Sequence, residues 1–305
     1  MEGDEEGEEA LKNFEEAGKI LEEALKYAKK IIKEGEKKLE IAKRVEEFIK
    51  EKNKDAKPAF PLNLNINYIA AHSTPEYNEE KIIGKELINV DFGVEINGYP
   101  TDASFTIDLT NENQKLIEAS ELALKNAISK VKANVEVKEI SKEIEETIKK
   151  FGLKPIRNLT GHGLQKGIVH APPEIPNVYE EKNKQKLEEG MVIAIEPFAT
   201  DGIGLVKESS KVEIFSYVQD TSFRFRDSQE VLKYIKENFS TFPFAERWIN
   251  ILSRFRVLAS LVDLTRNGAL QEYPELEEVS GKNIAHSEAT LIVEKDSARV
   301  LTQIF

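Results

Sequence analysis

One stretch of helical sequence occurs twice in this chain. Residues 39–50 read LEIAKRVEEFIK and residues 138–149 read KEISKEIEETIK, 99 positions later, and ALKYA at 24–28 meets ALKNA at 123–127 at the same offset. Helices rich in Glu and Lys resemble one another through composition alone. A register held across two helices and their linker favours a duplicated half instead. Each helix pair leads to a Pro-marked extended segment and then a histidine, His72 in the first copy and His170 in the second. The chain is therefore expected to form two αβ units around one pseudo-twofold axis, and such an axis usually passes through the site.

The periodicity fills in the two copies. The first fifty residues read as helical: acidic residues up to about Glu9 suit a helix start, and Leu11, Phe14, Ala17, Ile20, Leu21, Ala24, Leu25, Ala28, Ile31 and Ile32 line one buried face. Gly35 marks a stop, and a second helix is expected from about Lys37 to Lys52. Pro58, Pro61 and the alternating Leu62, Leu64 and Ile66 predict extended chain. Ile88–Ile96 and Tyr99–Leu109 flank Asn97-Gly98, a strong hairpin signal. A strand is expected at Met191–Phe198. From about Asp220 to Pro274 the sequence turns aromatic and Arg-rich, with helices expected at Glu230–Asn238 and Phe244–Asn267. Strands return at Ala289–Glu294 and Ala298–Phe305. Residues 1–305 thus read as a single catalytic domain with a helical insertion at about 220–275.

Composition removes several classes of function. Acidic residues number 55 against 43 basic ones, a net charge of −12. That balance argues against nucleic acid or an anionic membrane as the partner, since both demand clustered Lys and Arg. No apolar run approaches a spanning helix, and the opening MEGDEEGEEA is unlike a secretory signal, so a cytoplasmic protein is expected. A charged fraction of 32%, two Met and no Cys lean toward a heat-adapted intracellular protein. Without cysteine, any metal must be held by His and carboxylates.

Five residues carry the chemistry. In the expected hairpin Gly93 faces Asp102, which places Asp91 and Asp102 on one face. Two such carboxylates are either ordinary acids on an exposed sheet or a pair with a cation between them. His162, between two glycines, suits a turn as well as a ligand. Glu196 closes the apolar run Val192–Ile195 before Pro197, and a lone buried carboxylate there requires a counter-charge. Glu288 opens the strand SEATLIV. Two Asp, one His and two Glu form a hard O/N set suited to two divalent ions, and His-Glu-x-x-His is absent.

The ordered string Asp91, Asp102, His162, Glu196 and Glu288, within VDFGVEINGYPTDAS, TGHGL, AIEPF and SEATLIVEKD, resembles the methionine aminopeptidases. So does PAFPLNLNINYIAAHSTP at 58–75. The helical insertion before Glu288 resembles the type 2 enzymes, and the short amino-terminal region the archaeal ones. The resemblance implies the α+β pita-bread fold, two pseudo-symmetric αβ halves around a curved antiparallel sheet. It implies two divalent ions (cobalt, manganese, iron or zinc), with Asp91 on one, Asp102 and Glu288 bridging, and His162 with Glu196 completing the other. His72 and His170 match the histidines that contact substrate, Glu196 has a catalytic role, and Phe60 and Val169 match the methionine pocket. The implied activity is removal of the initiator methionine from nascent chains, at the ribosome, when the next residue is small. A proline dipeptidase of the same fold and a non-catalytic binding relative are the alternatives. Ser73, His286 and Ser287 depart from the family pattern, and His286, on the same strand face as Glu288, is either behind the metal ligands or uninvolved.

Overall fold

The computed structural model describes residues 2–222 and 225–303. The first half runs α1 (Glu2–Ile31), α2 (Lys38–Lys52), β1 (Ala56–Ile66), β2 (Ile69–Ala71), β3 (Leu87–Ile96) and β4 (Tyr99–Asp108). The second runs α3 (Gln114–Ile128), α4 (Val137–Lys150), β5 (Lys154–Pro155), β6 (Thr160–Gln165), β7 (Ile168–Pro176), β8 (Val192–Ile195) and β9 (Phe198–Thr200). Then follow β10 (Val206–Tyr217), α5 (Arg226–Asn238), β11 (Phe244–Ala245), a 3-10 turn (Glu246–Trp248), α6 (Arg254–Arg266), β12 (Leu270–Glu278), β13 (Ile284–His286), β14 (Ala289–Val293) and β15 (Ala298–Val300).

The duplication seen in sequence recurs in backbone detail. Gly35 N–H donates to the Ile83 carbonyl at 2.8 Å, and Asn134 N–H to the Leu187 carbonyl at 2.8 Å. Both donors hold left-handed φ, 94° and 66°, so each second helix is entered through the same kink. Lys37 bridges Ile82 and Glu136 bridges Lys186 at matching positions. Each half also has its own core. Leu21, Leu25, Ile41 and Ile49 of the first helices pack on Leu62, Val90 and Phe92, whereas Leu124, Ile140, Ile144 and Ile148 pack on Ile193 and Leu291.

Strands β1-β3-β4 form one sheet and β15-β14-β8-β6-β7 another. They join where Ser104 of β4 bridges Glu288 just before β14. The Asn97-Gly98 turn has φ of 53° and 87°, positive at both positions as a tight hairpin of this kind requires. Its register places Gly93 opposite Asp102, as expected.

Two expectations change. The helix expected over Phe244–Asn267 is broken, because Phe244 and Ala245 pair with β10 and α6 begins only at Arg254. The end of the expected helical insertion, residues 270–275, belongs to β12, a strand between β10 and β2. Cross-strand pairing holds the Glu-rich segment Leu270–Glu278 extended. Helices α5 and α6 carry a small core of their own around Val231, Ile235, Val257 and Leu261. Ile304 and Phe305, expected in the last strand, lie outside the described residues. Among the described residues, no helix is long and apolar enough to cross a membrane.

Candidate metal centre

A cavity of about 550 Å³ opens between the halves, and Asp91, Asp102, His162, Glu196 and Glu288 all line it. Each arrives from a separate structural event. Strand β3 is buried along its whole length, which removes the exposed-sheet reading of Asp91. Asp91 pairs with Ser104 on one side and Asn63 on the other, and the Asn63 side chain hydrogen-bonds its carboxylate. Asp102 is fixed through its backbone, its N–H donating to Thr290 Oγ1 at 2.8 Å.

His162 sits in β6 between Gly161 and Gly163 for a reason other than turn formation. A Cβ on Gly161 would lie 2.4 Å from the Ala194 carbonyl oxygen, and one on Gly163 would lie 2.2 Å from that of Pro172. The glycines let β8 and β7 close on β6 from both sides. His162 Nδ1 lies 3.2 Å from the Gly163 carbonyl, which can only accept, so Nδ1 carries the proton. The Nε2 lone pair is then free and faces Asp102 Oδ2 at 3.6 Å. Glu196 lies where β8 stops. Pro197 has no N–H to continue the ladder, and the chain passes to another sheet at Phe198.

Electrostatically the cluster is unbalanced. Burial pushes Asp91 up to about 7. Asp102, Glu196 and Glu288 are also raised well above the carboxylate range, by burial first and then by one another. Asp102 and Glu288 share a hydrogen bond between their carboxyl groups, an arrangement that needs a proton or a cation between them. No Lys or Arg is among the described residues lining the cavity. Asp91 Oδ1, Asp102 Oδ1 and Glu288 Oε1 are buried without a hydrogen-bond partner. Two triplets, Asp102–His162–Glu288 and Glu196–His286–Glu288, each offer ligand atoms within 4.8 Å of one another. Hard oxygens, imidazole nitrogen and a missing counter-charge fit divalent ions.

Above this floor stand the other expected residues. His72 follows the end of β2 with a left-handed φ of 67°, a conformation costly for a bulky side chain and typical of functional positions. Its Nδ1 lies 3.0 Å from the Pro274 carbonyl, so Nδ1 donates and Nε2 is left as the free acceptor. Burial lowers its pKa. His170 stands edge-on to His162, ring centres 4.7 Å apart. Its walls and the two neighbouring histidines lower its pKa as well, although its ring remains open to the cavity. Phe60 lines the cavity beside Ile214, Tyr273 and Leu276. Val169 is buried in the first core and is not among the lining residues.

Sequence reasoning missed Tyr273, whose ring lies 5.5 Å from that of His72 and 6.2 Å from that of His170. Its hydroxyl is 3.2 Å from Ser216 Oγ. The Tyr273-Pro274 pair was its only local signal, at the end of the expected insertion and beyond the helix expected to close at Asn267.

The model of metallopeptidase family M24 matches residues 12–231. A methionine aminopeptidase of Archaeoglobus fulgidus is 44% identical over 97% of this chain and 99% of its own length. One of Pyrococcus horikoshii is 41% identical over 94% and 98%. Among solved structures, a thermophilic Arx1 superposes with a TM-score of 0.83 at 18% identity, over 96% of this chain and 91% of that one. A methionine aminopeptidase of Thermotoga maritima gives 0.71 at 22% identity, over 97% of both. These last two share the fold, the pita-bread arrangement of two αβ halves. The chain belongs to metallopeptidase family M24 and, within it, to the methionine aminopeptidases.

Proposed function

We propose that this protein removes the amino-terminal methionine from nascent polypeptides in the cytoplasm, acting near the ribosome. Asp91, Asp102, His162, Glu196 and Glu288 would hold two divalent ions, drawn from cobalt, manganese, iron and zinc. The observation that carries this is a floor of three buried carboxylates with orphaned oxygens, Asp91, Asp102 and Glu288, joined by Glu196, with no Lys or Arg among the described residues lining the cavity. The family membership gives that floor its chemistry.

When bound, the ions would supply Lewis acidity to the scissile carbonyl and to water. The chain's own residues would do the rest. Glu196, which lines the cavity and is partly exposed, accepts the proton of the attacking water and passes it to the leaving amine. His170 is neutral and keeps one ring N–H, so it donates to the carbonyl oxygen as negative charge develops there. His72 presents Nε2 as an acceptor, suited to a peptide N–H on the departing side. Phe60, Tyr273, Ile214 and Leu276 provide apolar walls, and burying a methionine side chain against them contributes roughly 1.5–3 kcal/mol.

The test is a peptide panel. Met-Ala-Ser should be cleaved much faster than Leu-Ala-Ser or Met-Trp-Ser. Equal rates on all three would contradict the assignment, and a preference for Xaa-Pro dipeptides would select the proline dipeptidase alternative.

A further inference from the structure

His286 plays no part in the chemistry above, yet it lies directly behind the floor, against Glu196 and Glu288. It is 1% exposed, and neither ring nitrogen has a hydrogen-bond partner. Its Nε2 lies 3.6 Å from Glu196 Oε2 and 3.9 Å from Glu288 Oε2. We propose that His286 is itself a metal ligand, joining Glu196 and Glu288, so that the centre carries two imidazoles. The inference rests on the cavity being a metal centre, as proposed above.

Three observations support it. The separations are too long for hydrogen bonds, which run at about 2.7–3.2 Å. They suit atoms facing a common ion: with bonds of about 2.1 Å, neighbouring ligand atoms lie roughly 3–3.5 Å apart. His162 stands at the same 3.6 Å from Asp102 as His286 does from Glu196, so the two imidazole–carboxylate pairs match. An imidazole held only for packing would leave two buried polar atoms unsatisfied, at about 1–3 kcal/mol each.

The ring is also held in place independently of any ion. It stacks on Phe198, ring centres 3.8 Å apart and planes within 13°. The His286 backbone N–H donates to Asn89 Oδ1 at 3.0 Å and Thr106 Oγ1 at 2.9 Å, and the Thr106 hydroxyl donates to the His286 carbonyl at 2.8 Å. Asn89 and Thr106 belong to the first half, so the seam between the halves aims the ring at Glu196. A ligand fixed by rigid strands needs little further ordering on binding. A second imidazole would also tilt the site toward cobalt, nickel and zinc, because all-oxygen sites suit manganese better.

The chain has four histidines, few enough to count individually. Protein labelled with nitrogen-15 in its histidines and loaded with cobalt(II) should show two imidazole N–H signals displaced by direct bonding to the paramagnetic ion. His286→Gln should remove one and weaken one cobalt equivalent about 10–100-fold, at least the loss typical of metal-site partners. The melting temperature of the metal-free protein should change little. The wild-type count is decisive even if the variant folds poorly. Two bound cobalt ions with a single displaced imidazole, absent in His162→Gln, would overturn the assignment of His286 and leave the metal centre intact. Failure to bind cobalt at all would overturn both.

Discussion

Ser104 and Glu288 exchange backbone hydrogen bonds across the seam between the two halves. Glu288 N–H donates to the Ser104 carbonyl at 3.1 Å and Ser104 N–H to the Glu288 carbonyl at 3.4 Å. Two residues along each strand the exchange is repeated through a side chain, the Thr290 hydroxyl accepting from Asp102 N–H at 2.8 Å and donating to its carbonyl at 2.7 Å. This ladder brings the carboxyl groups of Asp102 and Glu288 together, one from each half of the duplication.

Thr290→Val should therefore loosen the centre without touching it. It leaves the buried N–H and carbonyl of Asp102 each short of a partner, at a cost of about 1–3 kcal/mol. Denaturant unfolding should show that loss, and metal affinity should fall with it. Unchanged stability and unchanged affinity would mean that the seam does not position Asp102.

The histidines separate by what each variant loses. His170→Ala should lower kcat about 10²–10³-fold with metal content intact, as expected for loss of one donor to a developing oxyanion. His162→Ala should lose metal as well as rate. Metal stoichiometry measured beside turnover decides the matter, and the opposite pattern would exchange the two roles.

Much of this was legible before the structure. The repeat gave the two halves, Asn97-Gly98 gave the hairpin register, and Glu196 at the end of an apolar strand signalled a missing counter-charge. Local signals gave out where pairing partners are distant in sequence. Strand β12 is rich in Glu and lacks a clear alternating apolar pattern, and it is the neighbouring β10 and β2 that hold it extended. Tyr273 was lost with it. The glycines around His162 were legible as special, but their purpose, close approach of β7 and β8, depends on strands far along the chain. His286 was recognisable only as a departure from a family pattern, since its burial and its carboxylate neighbours are tertiary facts.

Gly93 is a second site of close approach, and it tests the pocket. A Cβ there would meet the Thr101 carbonyl oxygen at 2.5 Å and Phe60 Cε1 at 2.8 Å. Gly93→Ala should push Phe60 into the cavity, raising KM for methionyl peptides more than it lowers kcat. Strain in the hairpin should cost about 1–3 kcal/mol of stability. A variant with wild-type KM would show that Phe60 does not shape the pocket.

Away from the centre, Lys38 offers a pH signature. It is buried at the start of α2, with Ser73 Oγ at 3.4 Å and Glu79 Oε1 at 3.9 Å. Burial lowers its pKa from 10.5 to about 8, with Lys81 and Lys211 lowering it further and Glu79 and Glu275 opposing. Because the unfolded chain binds the proton more tightly, the penalty is fully present below pH 8 and fades as pH rises to about 10.5. Relative to Lys38→Met, the wild-type protein should gain about 3 kcal/mol over that window, at 1.36 kcal/mol per unit. Guanidinium unfolding of both proteins at several pH values checks it, and parallel stability curves would contradict it.

If the carboxylate floor holds the ions that drive methionine release, removing them must stop the reaction. The most direct test is to strip the protein of metal, verify the stripping by elemental analysis, and follow methionine release from Met-Ala-Ser as cobalt(II) is added back. The stripped protein should show no turnover, and turnover should rise with the added ion. Full methionine release by protein verified free of metal, or none at any metal loading, would contradict it.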